Sequence, residues 1–272
     1  MPTSDDPRNV AAALLPVIPI EIVRKWDRLE GVGTARAEFA YQNPTYAHLL
    51  TAGVTLPIFR KEVEWILEQF DEGLPEGAVI DIGAGAGAGV TMAVVALATK
   101  PTVIACEPVS GAIAAIAHVA DVVGVDINSL EAPVSALASN DLESVGVAVA
   151  QSILSYLGFG DERDKDDSKQ GYALTSTLSE VGETLVVEHI GWTKNTGSYF
   201  SAWGPFIWAM ADAGMYPVWE TARFVTGENV LTVDTPRFDR SLPQPSKLCL
   251  RISRSGDPRR ISERLEALLA NP

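Results

Sequence analysis

Cysteine, histidine and positive charge are all scarce in this chain. Its two cysteines, Cys106 and Cys249, lie far apart and belong to no Cys-x-x-Cys or Cys/His cluster, so no zinc site is expected. Cys106 falls in an apolar run and reads as a small core hydrophobe. The composition suits a reducing compartment, and a cytoplasmic location is expected. Lysine and arginine number 21 against 35 aspartates and glutamates, a formal net charge of -14. Such a surface repels phosphate backbones and anionic lipid, which argues against nucleic acid or a membrane as partner. Long apolar runs are missing too. The run at 90–99 stops at Lys100-Pro101, and the run at 111–125 is broken by His118 and Asp121. Both fall short of the ~20 residues a membrane helix needs. The start, Met1-Pro2-Thr3-Ser4-Asp5-Asp6, is acidic and lacks the basic segment of a secretion signal.

What is present is enough apolar residue for a full core. With 272 residues, 47% hydrophobic and 21% charged, the chain suits one large α/β domain with a small helical addition. Residues 11–70 read as helical. In Ile58-Phe59-Arg60-Lys61-Glu62-Val63-Glu64-Trp65-Ile66-Leu67-Glu68-Gln69-Phe70 the apolar groups recur at three and four. The turn Gly73-Leu74-Pro75-Glu76-Gly77 closes that part. Beyond it the pattern alternates. Strands are expected at 78–82, 102–107, within 127–136, and at 145–151, 184–189, 221–226 and 247–254. Helices are expected at 90–98, 111–123, 173–181, 201–213 and 261–270. Apolar strands separated by helices predict a mostly parallel sheet covered on both faces. The expected division is a helical cap over 1–72 and the main domain over 73–272. The mixed-charge run Asp161-Glu162-Arg163-Asp164-Lys165-Asp166-Asp167 reads as a solvated loop.

The densest signal is Val79-Ile80-Asp81-Ile82-Gly83-Ala84-Gly85-Ala86-Gly87-Ala88-Gly89, followed by an apolar segment and then Ile104-Ala105-Cys106-Glu107-Pro108. It reads as strand, glycine turn, helix, strand. Glycines suit a strand-to-helix turn that a Cβ would obstruct, and they let a ligand approach the main chain. The helix that follows aims free amides into the pocket, which favours a carboxylate or phosphate. Glu107 lies 20 residues after Gly87 and ends the neighbouring strand. There a carboxylate can accept both hydroxyls of a ribose.

Asp81-Ile82-Gly83-Ala84-Gly85-Ala86-Gly87 resembles the first motif of the class I S-adenosylmethionine-dependent methyltransferases. With Glu107, the likeness covers about residues 78–254. It implies a three-layer Rossmann-like α/β fold: a mostly parallel seven-stranded sheet, an antiparallel last strand and an N-terminal helical cap. It implies S-adenosylmethionine as cofactor, with S-adenosylhomocysteine as product. Asp81, Gly83, Gly85, Gly87 and Glu107 would hold it, with Pro108 on the adenine face, Ser135 at the adenine edge and Gln151 after the fourth strand. Many relatives carry Asp or Asn where Ser135 stands. Gln151-Ser152-Ile153-Leu154 also differs from the Asn-Pro-Pro-Tyr type of enzymes that methylate adenine or glutamine amides, which disfavours those acceptors. Gly83, Gly85 and Ala88 fit the Gly-x-Gly-x-x-Ala of dinucleotide sites as well. An NAD(P)-dependent oxidoreductase therefore stays open, as does a non-catalytic S-adenosylmethionine-binding protein.

A methyltransferase must chiefly align nucleophile and methyl carbon. A general base assists a hydroxyl or acid, and histidine suits that role. Of the three histidines, His118 falls in a helix and His48 lies near Tyr41 and Tyr46. His189 ends the fifth expected strand, on the ligand side, and is the candidate base. Glu188 alternates to the opposite face and reads as a packing or capping group. The aromatic group Trp192, Tyr199 and Trp203 offers a wall for a flat acceptor, with helix packing or a homodimer contact as its other uses. Tyr41, Tyr46 and His48 would form the opposite wall. The expected reaction is methyl transfer to an oxygen or nitrogen of a small organic acceptor.

Overall fold

The computed structural model describes residues 57–85, 101–123, 126–157, 159, 165–191, 199–226, 229–232 and 246–269. The helices expected over 11–56 and 90–98 lie outside the described residues, as do Tyr41, Tyr46, His48, Gly87 and Trp192. Helix α1 (Pro57–Asp71) comes first. Its leading proline suits a first-turn position, where the missing N–H would find no helical partner. Strands β1 (Ala78–Ile82) and β2 (Val103–Cys106), helix α2 (Ser110–Val123) and strand β3 (Ile127–Leu130) follow. A 3-10 turn (Val134–Ala136) and short helix α3 (Ser139–Leu142) lead to β4 (Val145–Gln151). After a second 3-10 turn (Leu154–Leu157) come α4 (Lys165–Val181), β5 (Glu183–Gly191) and α5 (Tyr199–Asp212). Strands β6 (Tyr216–Thr226), β7 (Asn229–Thr232) and β8 (Ser246–Ser253) precede α6 (Ile261–Leu269).

The strands form one sheet in the order β3-β2-β1-β4-β5-β8-β6-β7. β1 to β5 are parallel, and β8 runs antiparallel between β5 and β6. The expected mostly parallel α/β sheet thus stands, including its antiparallel last strand, while most of the cap expected over 1–72 lies outside the described residues. The sheet carries one edge strand more: β7 pairs antiparallel with β6. Its four residues, Asn-Val-Leu-Thr, are too few to display an alternation in sequence. β6 starts at Tyr216, five residues before the expected boundary, because its register shifts between Val218 and Arg223. That bulge frees the Thr221 carbonyl to accept the Trp65 indole N–H of α1 at 2.8 Å. α4 begins at Lys165, so the end of the charged run is its first turn and not loop. Polar helix-compatible residues there show no apolar period.

Strand order reverses at β1, with β2 on one side and β4 on the other. Crossovers from β2 to β3 and from β4 to β5 therefore run in opposite directions. Right-handed connections put their helices on opposite faces. One face packs Ile80, Ile82, Ala148, Ala150, Val186, Leu248, Leu250 and Ile252 against Leu174, Leu178, Phe206, Met210, Ile261 and Leu265 of α4, α5 and α6. The other face carries α1, whose Val63 and Ile66 are fully buried. Each such burial contributes roughly 1.5–3 kcal/mol. Among the described residues no helix is long and apolar enough to cross a membrane.

Candidate functional site at the carboxyl edge of the sheet

In an open α/β sheet the ligand crevice lies outside the carboxyl ends of the strands where their order reverses. Here that point falls between β1 and β4. After β1, Gly83 and Gly85 have φ of 68° and 54°, a region that side chains disfavour. A Cβ on Gly83 would stand 2.6 Å from Ile153 Cγ2, so the turn after β4 packs directly on the turn after β1. Gly83 and Ala84 donate their N–H to the Cys106 carbonyl at 2.9 and 3.2 Å. Glu107 completes the tie. Its Oε2 accepts the Gly85 N–H at 3.0 Å and its Oε1 accepts the Val109 N–H at 3.1 Å. One lone pair on each oxygen remains. Glu107 is thus a brace between the two strand ends, a role the sequence reading did not anticipate.

Asp81 is 4% exposed and Glu107 5%. Burial pushes the Asp81 carboxyl up to about 7, and the charge of Glu107 adds to the shift. Burial also raises Glu107, against the two backbone N–H bonds that favour its charged form. Cys106 is buried beside them. Its Sγ–H donates to the Ala132 carbonyl at 3.3 Å, and burial first, then the nearby carboxylates, push the thiol up to about 12. It is a small core group, as expected. Pro108 and Ser135 are exposed at the carboxyl ends of β2 and β3.

Register places a second polar group on the same face. Asp81 pairs with Val149, Gln151 with Val187, and His189 with Lys247. Side chains two apart share a face, so Asp81, Gln151, His189 and Lys247 line one side of the sheet. From α1 the fully buried Glu62 reaches this row. Its Oε1 lies 2.8 Å from Lys247 Nζ, and its Oε2 accepts Nζ–H at 3.0 Å. The Gln151 amide nitrogen also donates to Glu62 Oε2. Lys247 Nζ donates to Ser152 Oγ at 2.9 Å. Glu62, Lys247 and Ser152 were absent from the sequence expectations. One signal existed: Glu62 interrupts the apolar stripe of α1 at a position that must face the sheet.

His189 is half-buried at this edge. Burial, then the Lys247 ammonium, lower its imidazole to about 3, so it is uncharged at neutral pH. Glu188 points the other way and caps, as alternation predicts. It accepts N–H groups from Leu154 and His189, both at 2.8 Å, and burial pushes it up to about 7. Trp203 departs from expectation. It is 2% exposed and packs with Phe206 in the core of the opposite face, at 6.2 Å between ring centroids. Spacing with Phe206, Ile207 and Met210 puts it on the sheet-facing stripe of α5, so it forms no cleft wall. Tyr199 opens α5, and the backbone alone is described there. A groove of about 590 Å³ between α4 and α5, lined by Phe159, Tyr172, Thr175 and Pro205, lies in the opposite helical layer, away from this edge.

No protein-family model matches the chain, and no curated protein matches it by sequence. Solved structures do. An S-adenosylmethionine-dependent methyltransferase from Aquifex aeolicus is 15% identical, with a TM-score of 0.51, over 77% of this chain and 98% of that one. An O-methyltransferase family protein from Burkholderia thailandensis is 11% identical, with a TM-score of 0.52, over 80% of this chain and 62% of that one. The fold is that of the class I methyltransferases. Within that fold, the braced glycine turn and the Gln151-Ser152 turn flank the point where strand order reverses.

Proposed function

We propose that the protein binds S-adenosylmethionine at the braced turn and transfers its methyl group to an oxygen or nitrogen of a small organic acceptor. The observation that carries this reading is the Gly85–Glu107 bond beside the buried Asp81. Two carboxylates enclosed at one strand edge, with little solvent to share their charge, fit a cationic ligand far better than a phosphate. Bound there, the sulfonium supplies an activated methyl carbon. The Gly83–Gly85 turn, without side chains at either glycine, would let the amino-acid end approach the main chain closely, Asp81 would offset positive charge, and the remaining lone pairs of Glu107 would accept ribose hydroxyls.

Bound S-adenosylmethionine would supply the methyl group, and the acceptor's attacking atom would give up its hydrogen as a proton. His189 is the candidate proton acceptor. Burial and the Lys247 ammonium keep its imidazole uncharged at neutral pH, the form that can receive a proton.

A labelled-methyl screen of small hydroxyl and amine compounds tests the reading. Transfer to one class, lost in Glu107→Ala with cofactor affinity down by roughly 1.5–3 kcal/mol, is expected. S-adenosylhomocysteine binding without turnover on any compound would favour a non-catalytic binder. An unchanged affinity in Glu107→Ala would remove Glu107 from the site.

A further inference from the structure

The inference rests on the methyl-transfer reading and concerns the acceptor side of the same cleft. Two residues after Val149, the register partner of Asp81, β4 ends at Gln151 and turns through Ser152. Ser152 has a φ of 57°, unusual for a residue with a Cβ. Strain of this kind persists only where the surroundings over-determine it. Here the Ser152 N–H donates to Val187 O at 2.7 Å, and its Oγ accepts from the Lys247 ammonium at 2.9 Å. Because Oγ accepts from a cation, the hydroxyl hydrogen is left to donate elsewhere, and polarisation makes it a stronger donor.

Gln151 is held in a complementary way. Its amide nitrogen donates to Glu62, which fixes the direction of its carbonyl oxygen. That oxygen accepts no hydrogen bond among the described residues. Glu62 and Lys247 are 0% and 8% exposed. A buried ion pair adds little net stability, since desolvation offsets the attraction. This one instead grips both residues of the turn that faces the braced glycines.

We propose that the Glu62–Lys247 pair positions the methyl acceptor. It presents the Gln151 carbonyl and the Ser152 hydroxyl as one uncharged acceptor–donor couple. The group this couple suits is neutral, and its attacking oxygen or nitrogen carries hydrogen. The carbonyl accepts a hydrogen bond from the attacking atom and so turns that atom's lone pair away from itself. An anionic nucleophile, such as a thiolate or enolate, would meet the carbonyl oxygen as repulsion.

Sinefungin tests this without knowledge of the acceptor. It replaces the methyl-bearing sulfonium with an amine-bearing carbon, and so offers an N–H where the transferring methyl would stand. S-adenosylhomocysteine has nothing there. Calorimetric dissociation constants for both are compared in wild type and in the double variant Glu62→Met/Lys247→Met. The expected result is a roughly tenfold loss for sinefungin, with S-adenosylhomocysteine within about twofold. Equal change for both ligands, or none, overturns the proposal. If the double variant does not fold, wild-type NMR answers the same question. Sinefungin, and not S-adenosylhomocysteine, should shift the Gln151 side-chain amide resonances, and identical shifts from both would overturn it. Failure of both ligands to bind wild type would instead defeat the cofactor reading on which the proposal stands.

Discussion

Burial keeps the Asp81 carboxyl near pKa 7. Between the ordinary value of 3.8 and about 7, the folded chain holds a proton that the unfolded chain has lost. This group's contribution to stability therefore falls as pH rises through that window. Asp81→Asn should raise the unfolding free energy of the ligand-free protein at pH 8 by roughly 1–3 kcal/mol in urea titrations, while weakening S-adenosylmethionine. No gain in stability would mean that the carboxylate is compensated in the cleft. His189 has the opposite sign. Its window runs from the ordinary 6.5 down to about 3, where the unfolded chain binds a proton that the folded chain does not, and stability falls as pH drops. Lys247→Met should move the His189 NMR titration midpoint upward, because the neighbouring positive charge is gone. At Gly83, an alanine would combine a φ of 68° with a Cβ 2.6 Å from Ile153 Cγ2. Calorimetric melting should show a cost of roughly 2–4 kcal/mol.

Helix α1 is fastened to the sheet at two points, the Trp65 indole on the β6 bulge and Glu62 on Lys247. Removing one partner of a buried pair strands the other charge. Glu62→Met alone should cost roughly 3–5 kcal/mol, and Glu62→Met/Lys247→Met should recover most of it. Equal losses in the single and double variants would mean that the lysine is solvated without its partner. The elements around this docking were unevenly legible in sequence. β1, β4 and the 110–123 helix announce themselves through apolar runs between glycine and proline punctuation. Asp81 and Glu107 could be placed because local spacing alone puts them at strand ends. The Glu62–Lys247–Ser152 group could not. Its members are up to 185 residues apart and meet only once β8 inserts beside β5, a pairing no local pattern encodes. Trp203 was misplaced for a related reason: an aromatic on a helix stripe looks alike whether it faces a core or a cleft. β7 is too short to show a period.

Across the whole molecule, the charge of -14 sets the long-range field. Self-repulsion should be screened by salt. Melting temperature is expected to rise between about 0.05 and 0.5 M sodium chloride, while affinity for a cationic cofactor falls. A melting temperature that drops with salt would show that attractive surface pairs dominate instead. At the sheet edge, two enclosed carboxylates beside a braced glycine turn would favour a sulfonium over a pyrophosphate. The most direct test is a thermal unfolding series with S-adenosylhomocysteine and with NAD as the competing ligand. At about 100 times its dissociation constant, S-adenosylhomocysteine should add about 2.7 kcal/mol to the unfolding free energy, and NAD should add nothing. Stabilisation by NAD with no response to S-adenosylhomocysteine would contradict the account.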